Sequence, residues 1–558
     1  MEKIRTYFLR LRLWGFPAVA VIIFSVMSMW LCYSSWKACP IICFADGLCL
    51  VLPWLLLPPH WRGWWWILPA LYTVTMVANL CYGFFFMAVI PVELFFSNAW
   101  MNDYVLFRGI TKVNAMSLMA LWGLILAVIA WLFLRRHQPA YTLKRNVVTI
   151  AVAAGAIVAL HLVQALRLHH YQSDKPLSEC VCDVFSIHSS YKEDILRHGY
   201  VIAYTGHFCE MLFGDRSLTA ADFEQLRRVE TAQRGQLPAD LATAFAANRH
   251  KNLICIVVES LDMQALNRTV GGVRITPTLD SIAADTTVIA LSHMRQQVGL
   301  GQSSDGQIMA FGGLMRCPQC PIAYANCIAS LPSIFHALNY RHNFAVIGEF
   351  RVVWNADRYL PALGLTTIHD DICSLCGGLD DEAMFSEAIQ HINASPQPFC
   401  AMVSTVAMHE PYVAEYSPIT AISRSGEVNS ELGYYLERTH KFDKCLADFL
   451  QQLKQTGIYQ QSVVVIVADH NSKLHWDTYI PAFILNSGIP HRFTADRALT
   501  QLDLYPTLLD VMGLVNIDCW RGMGLSAVRP GLAPLTEAEL QQRSILTEHL
   551  LRADYFRQ

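Results

Sequence analysis

Apolar positions change their spacing along this chain at about residue 167. Before it, nearly charge-free runs recur at 14–32, 39–57, 63–90, 115–134 and 146–166. A bilayer core is crossed by about 20 apolar helical residues, so the pattern predicts five spanning helices in a multi-pass α-helical membrane domain over 1–166. The second run carries Asp46, Gly47 and Pro53, and reads more readily as a bent helix with a satisfied buried carboxyl than as a functional site. Residues 167–250 are mixed and polar, with a helical pattern over 220–234, and form a helical connector. From 252 the spacing becomes short β-branched runs separated by amphipathic segments, at 253–259, 343–348, 399–405 and 462–470, with a helix over 437–456 between the last two. That alternation predicts an α/β domain over 251–558 with a largely buried sheet.

Composition sharpens the division. Of 558 residues, 53% are hydrophobic and 16% charged, with a mean hydropathy of +0.30, too apolar for an ordinary soluble enzyme. A net charge of −3 leaves no basic excess for nucleic acid, and that partner class is dropped. Lys3, Arg5, Arg10 and Arg12 precede the first run, and Arg135, Arg136, Lys144 and Arg145 follow the fourth. Short basic loops stay cytoplasmic, so five spans place everything after about 167 on the outer face. The first run is too long, and lacks the small-residue cleavage site, to read as a removed signal peptide. Of the 17 cysteines, Cys180/Cys182, Cys317/Cys320 and Cys373/Cys376 form close pairs, which an exported domain favours as disulfides, the pairing open, over a zinc ribbon.

Four elements carry chemistry, each at a strand end or in the loop beyond it, where open α/β sheets place their sites. Glu259 closes an apolar strand, and a carboxylate there is expensive unless paired or bound to a cation. Asp469-His470 closes another and suits a divalent metal. The turn over 299–306 (GLGQSSDG) leads into a helical stretch over 307–314, presents backbone N–H groups to an anion, and offers a serine hydroxyl at a helix start. His409 follows the 399–405 strand. Each alone has a plain structural reading as a cap, a loop or a lone histidine.

Together, and in this order, the elements resemble the lipoteichoic acid synthase and phosphoglycerol transferase branch of the alkaline phosphatase superfamily. The Glu259-Ser260 strand end, the Gly-Gln-Ser-Ser-Asp turn over 301–305, Trp354-Asn355 with Tyr359 and Leu363-Gly364, His409, Asp469-His470 and the helix over 503–510 carry the likeness. It implies an alkaline-phosphatase-like α/β sandwich for 251–558, with Ser303 as nucleophile and metal ligand. Glu259, Asp469 and His470 would complete the set around one divalent cation, Mn²⁺ or Zn²⁺. His409 is the implied second catalytic group and, with Trp354 and Asn355, a contact for the substrate. The implied reaction moves a phospho-headgroup, phosphoglycerol first and phosphoethanolamine as the alternative, from a membrane phospholipid to a glycan or lipid acceptor at the outer face of a bacterial cytoplasmic membrane. The chain departs from the family where headgroups are held. The arginine after Trp-Asn is Ala356, for which Arg358 is the candidate substitute; the His-Gly after the preceding strand is Gly348-Glu349; and the glycine after Asp-His is Asn471. A sulfatase proper needs a Cys/Ser-x-Pro/Ala-x-Arg nucleophile motif, whereas Ser303 precedes Ser-Asp-Gly. A non-catalytic sensor of the same fold would have lost part of the metal and nucleophile set, which is complete.

Overall fold

A computed structural model of the protein describes residues 18–26, 42–58, 142–171, 175–186, 191–214, 216–299, 301–317, 328–348, 351, 356–370, 380–474, 479–515 and 517–557, with a few isolated positions between 61 and 132. The chain divides into two compact units, Met1–Asp215 and Arg216–Gln558. The division falls inside the stretch read above as a connector.

In the first unit, Leu143–Tyr171 forms one continuous helix. Its segment Asn146–His170 is the one helix among the described residues that is long and apolar enough to cross a membrane. Val147, Val152, Val158 and Leu166 stand exposed along it, a surface that is costly in water and natural in lipid. The 39–57 run forms the shorter helix Cys43–Leu56, with Pro53 inside it. Asp46 is fully buried, and its carboxylate accepts the N–H groups of Tyr200 and Val201 at 2.9 and 2.7 Å, capping the helix Tyr200–Phe213. It is therefore a satisfied structural carboxyl. Most of the first, third and fourth apolar runs lies outside the described residues.

The second unit is built on one eight-stranded sheet. In chain order the strands are β1 (Asn252–Val258), β2 (Thr269–Val270), β3 (Val273–Arg274), β4 (Ile289–Arg295), β5 (His342–Ile347), β6 (Thr367–His369), β7 (Phe399–Ser404), β8 (Ser462–Ala468), β9 (Tyr479–Leu485) and β10 (Leu499–Thr500). The sheet runs β10-β4-β9-β8-β1-β7-β5-β6, and β2-β3 is a separate hairpin. From β8 through β6 neighbouring strands are parallel; β9 runs against both β8 and β4. Every residue of β1 and β8 is buried, as expected of central parallel strands covered on both faces, and the unbroken Val/Ile run of β8 suits that setting. The helix predicted over 437–456 is observed as Ser430–Gln455, and that over 220–234 as Ala220–Ala232, the latter opened by a capping box between Thr219 and Asp222. Cys180 and Cys182 are unbridged. Cys320, Cys327, Cys373 and Cys376 lie outside the described residues.

Candidate active site

The central strands set the site's depth. Val258 of β1 lies opposite Ala468 of β8, so the next residues, Glu259 and Asp469, emerge side by side at the carboxyl edge of the sheet. The pairing continues one step, with the Asp469 N–H donating to the Val258 carbonyl at 3.1 Å. Ser260 then turns through φ +54°, and its N–H donates to Asp469 Oδ1 at 2.9 Å while its hydroxyl donates to Glu259 Oε1 at 2.5 Å. Asp469 Oδ1 also receives the His470 N–H at 2.6 Å. One oxygen of each carboxylate is thus tied locally. His470 Nδ1 faces the Asn471 carbonyl at 2.7 Å; a carbonyl only accepts, so Nδ1 carries the proton and the lone pair is on Nε2.

Ser303 begins the helix Ser303–Gly312, earlier than the start predicted at 307. The preceding turn is closed by Asp305, whose Oδ2 accepts from the N–H groups of Gly299 and Gly301 at 2.9 and 3.0 Å. Gln302 takes φ +46°, a strained conformation for a residue with a side chain, immediately before Ser303. Gly306 rests on the loop that begins at Asp469: a Cβ there would lie 2.3 Å from the Asp469 carbonyl oxygen. Ser304 Oγ is used within the turn, donating to Gly301 O at 2.7 Å. Ser303 Oγ instead lies 3.2 Å from Glu259 Oε2 and 3.2 Å from His470 Nε2.

The donor set fits a divalent cation. Glu259, Asp469 and His470 are buried, and each offers a ligand atom within 4.8 Å of the others. Burial and the charge of Glu259 push the Asp469 carboxyl up to about 6. Burial also works against the Glu259 charge, but His470, His409, the Ser260 hydroxyl and Lys473 outweigh it and hold that carboxyl below the usual range. Two buried acids driven apart in this way lack positive charge between them, which a cation supplies.

The rim is built from loops. His409 is half-buried beyond β7, its Nδ1 2.6 Å from the Glu410 carbonyl. Its loop is held by the buried Arg438 guanidinium, which donates to the carbonyls of His409 at 2.6 Å and Pro411 at 2.7 Å, and by Asp381, which accepts the N–H groups of Val406 and Ala407. Arg358 is exposed on the helix Ala356–Ala362, where the buried Tyr359 reaches Gln307 Oε1 at 2.6 Å. Trp354 and Asn355 lie outside the described residues. Sequence reading passed over Arg438, Asp381 and Lys473; the one trace of the last was the departure at Asn471 beside it.

A family model described as Sulfatase matches residues 251–514. The chain is 23% identical over 367 residues to lipoteichoic acid synthase 1 of Bacillus subtilis, covering 62% of this chain and 54% of that protein. It is 25% identical over 406 residues to the lipoteichoic acid synthase of Staphylococcus saprophyticus, covering 65% and 60% respectively. The chain therefore spans between half and two thirds of the length of these relatives. Among solved structures, the lipoteichoic acid synthase LtaP from Listeria monocytogenes is similar at 19% identity and a TM-score of 0.48, over 59% of this chain and 97% of that one. Residues 251–514 thus match a sulfatase-type family model, and the chain is similar in sequence to lipoteichoic acid synthases.

Proposed function

We propose that the protein transfers a phospho-headgroup, phosphoglycerol, from a membrane phospholipid to a glycan or lipid acceptor through a covalent Ser303 intermediate. The observation that carries this reading is the place of Ser303 Oγ, 3.2 Å from both Glu259 Oε2 and His470 Nε2 at the start of a helix. A divalent cation, Mn²⁺ or Zn²⁺, held by Glu259, Asp469, His470 and Ser303, would lower the cost of the serine alkoxide and neutralise charge on the phosphoryl oxygens. Ser303 Oγ bonds to phosphorus, and the bond from phosphorus to the diacylglycerol oxygen breaks. His409 contacts the phosphate or protonates the leaving oxygen. The acceptor hydroxyl then attacks the phosphoserine and frees Ser303. Arg358, Trp354 and Asn355 complete the headgroup contacts in this reading. The named relatives favour phosphoglycerol over phosphoethanolamine as the group carried.

The same reading keeps 1–166 as a five-span anchor, 167–250 as the connector and 251–558 as the catalytic domain on the outer face, near a lipid donor. The outward-facing apolar helix Asn146–His170 supports the anchor.

The test is peptide mapping of the full chain with Mn²⁺ after incubation with phosphatidylglycerol or, separately, phosphatidylethanolamine. The expected outcome is a phosphoglycerol mass increment on Ser303, with Ser303→Ala folding and binding metal but releasing no diacylglycerol. Turnover by Ser303→Ala at the wild-type rate would overturn the covalent route, and an increment from phosphatidylethanolamine alone would replace the headgroup.

A further inference from the structure

Beyond His470 the chain is pinned at successive residues. The Asn471 N–H donates to Gln296 Oε1 at 2.9 Å. Ser472 is buried, with its hydroxyl and N–H both on the Asp262 carboxylate and its carbonyl accepting from the Tyr412 hydroxyl at 3.0 Å. Lys473 follows at φ +61°. A lysine keeps that left-handed conformation only where its surroundings over-determine it. Across the site mouth, the loop bearing His409 and Glu410 is fixed from below by Arg438. The two loops meet where Lys473 Nζ lies 3.1 Å from Glu410 Oε1, with the side chains 31% and 51% exposed. An ion pair that wet adds little stability, too little to account for a strained backbone and two sets of buried anchors beneath it.

Charge at this mouth gives the pair another use. The floor carries Glu259 and Asp469, and a phosphodiester brings a further negative charge. Lys473 follows His470 by three residues, and its partner Glu410 adjoins His409, so the pair stands at the mouth above the floor. The position that carries an arginine in the family pattern is Ala356, and Arg358 is exposed on its helix. We propose that Lys473 is a substrate-contacting residue, its ammonium parked on Glu410 in the resting enzyme and moving to a phosphate oxygen of the lipid headgroup. The ammonium is a flexible point charge on a long stem and can change partners, while the anchored backbone keeps its root beside the metal set. The inference rests on the phosphotransfer reading above.

The experiment uses the full chain loaded with Mn²⁺ and two readouts: inorganic phosphate binding by calorimetry, and kinetics with phosphatidylglycerol in mixed micelles. Lys473→Gln should weaken phosphate binding and raise KM about tenfold, with kcat within about threefold and Mn²⁺ content and Tm unchanged. Lys473→Arg should restore most of the affinity. Glu410→Gln should shift phosphate affinity the opposite way, because the resting partner is gone. If Lys473→Gln and Glu410→Gln both lower Tm and move KM in the same direction, the pair is a clasp between loops and the proposal falls. Unchanged phosphate affinity in Lys473→Gln also overturns it, whichever lipid is the donor. Wild-type protein that binds Mn²⁺ but no phosphate would sink the phosphotransfer reading itself.

Discussion

Glu259 and Asp469 leave adjacent parallel strands one residue past their ends, whereas His409 and Lys473 sit on loops five residues beyond theirs. The floor of the site inherits its geometry from the sheet. Register aligns the two acids, a shared backbone step holds them level, and the first turn of the Ser303 helix lies against the Asp469 carbonyl. The rim has no such template and is held from beneath by single buried polar groups: Arg438 and Asp381 under His409, Asp262 and Tyr412 under Lys473. A floor of this kind admits little variation without loss of chemistry. A rim of this kind can exchange side chains while the anchors stay, and the departures at Ala356 and Asn471 fall there.

The largest effect should come from the floor. Asp469→Asn keeps an acceptor for the Ser260 and His470 N–H groups but removes one charged ligand. Most of the metal measured by elemental analysis should be lost, and diacylglycerol release should fall by at least about 10³-fold. Because the Asp469 carboxyl is pushed up by burial and by Glu259, the neutral side chain should leave the metal-free protein as stable as wild type or more so. Full metal content in this variant would move the site elsewhere.

Gly306→Ala tests the contact between the Ser303 helix and the loop that begins at Asp469. Helix propensity favours alanine by about 1 kcal/mol. The added Cβ, however, meets a backbone oxygen at 2.3 Å, and neither partner can yield without moving the helix or the strand end. Overpacking of this kind costs about 1–3 kcal/mol. A displacement of about 1 Å at the nucleophile costs on the order of 10²-fold in rate. The expected result is a lower Tm and kcat down about 10²-fold with metal content retained. A stabilised, fully active variant would show that the helix and loop are not rigidly registered.

The floor was legible from sequence because each of its residues interrupts or ends an apolar run, where a buried charge demands a reason. β1, β5, β7 and β8 were legible as short, largely apolar runs. β9 was missed because Pro481 sits within it, and β4 because His293 and Arg295 break its alternation and a register shift separates Leu291 from Met294. The Ser303 helix was placed four residues late, since Ser-Ser-Asp-Gly reads as loop until Asp305 is seen closing the turn that precedes it. Arg438 and Asp381 were invisible for a different reason. Each lies on a helix far along the chain from the loop it holds, and nothing local distinguishes it from a solvated charge. The division at residue 215 was likewise hidden: the helix Tyr200–Phe213 falls in the first unit, where Asp46, far back in the chain, accepts its first N–H groups.

The smallest effect sharpens the contrast from the rim. Asp381 is buried; its Oδ1 accepts the Val406 and Ala407 N–H groups at 2.9 and 3.0 Å, while Oδ2 is buried with no hydrogen-bond partner among the described residues. Burial pushes this carboxyl up to about 6, against the pull of those two N–H groups. In the unfolded chain an aspartate titrates near 3.9. The folded protein therefore holds the proton more tightly, and the resulting stability is fully present below about pH 3.9 and lost as pH rises through about 6. Asp381→Asn keeps the Oδ1 acceptor and removes the titration. The Tm of wild type relative to this variant should rise as pH falls from 7 toward 4, by the equivalent of about 1–3 kcal/mol at most. Taking the difference between the two proteins cancels the opposite slopes contributed by carboxylates held low elsewhere, such as Glu437 and Asp370. Because the anchor to the His409 loop survives, turnover at pH 7 should stay within about threefold of wild type, whereas Asp381→Ala, which cuts the anchor, should lose more. Parallel Tm curves for wild type and Asp381→Asn would show that the carboxyl titrates normally.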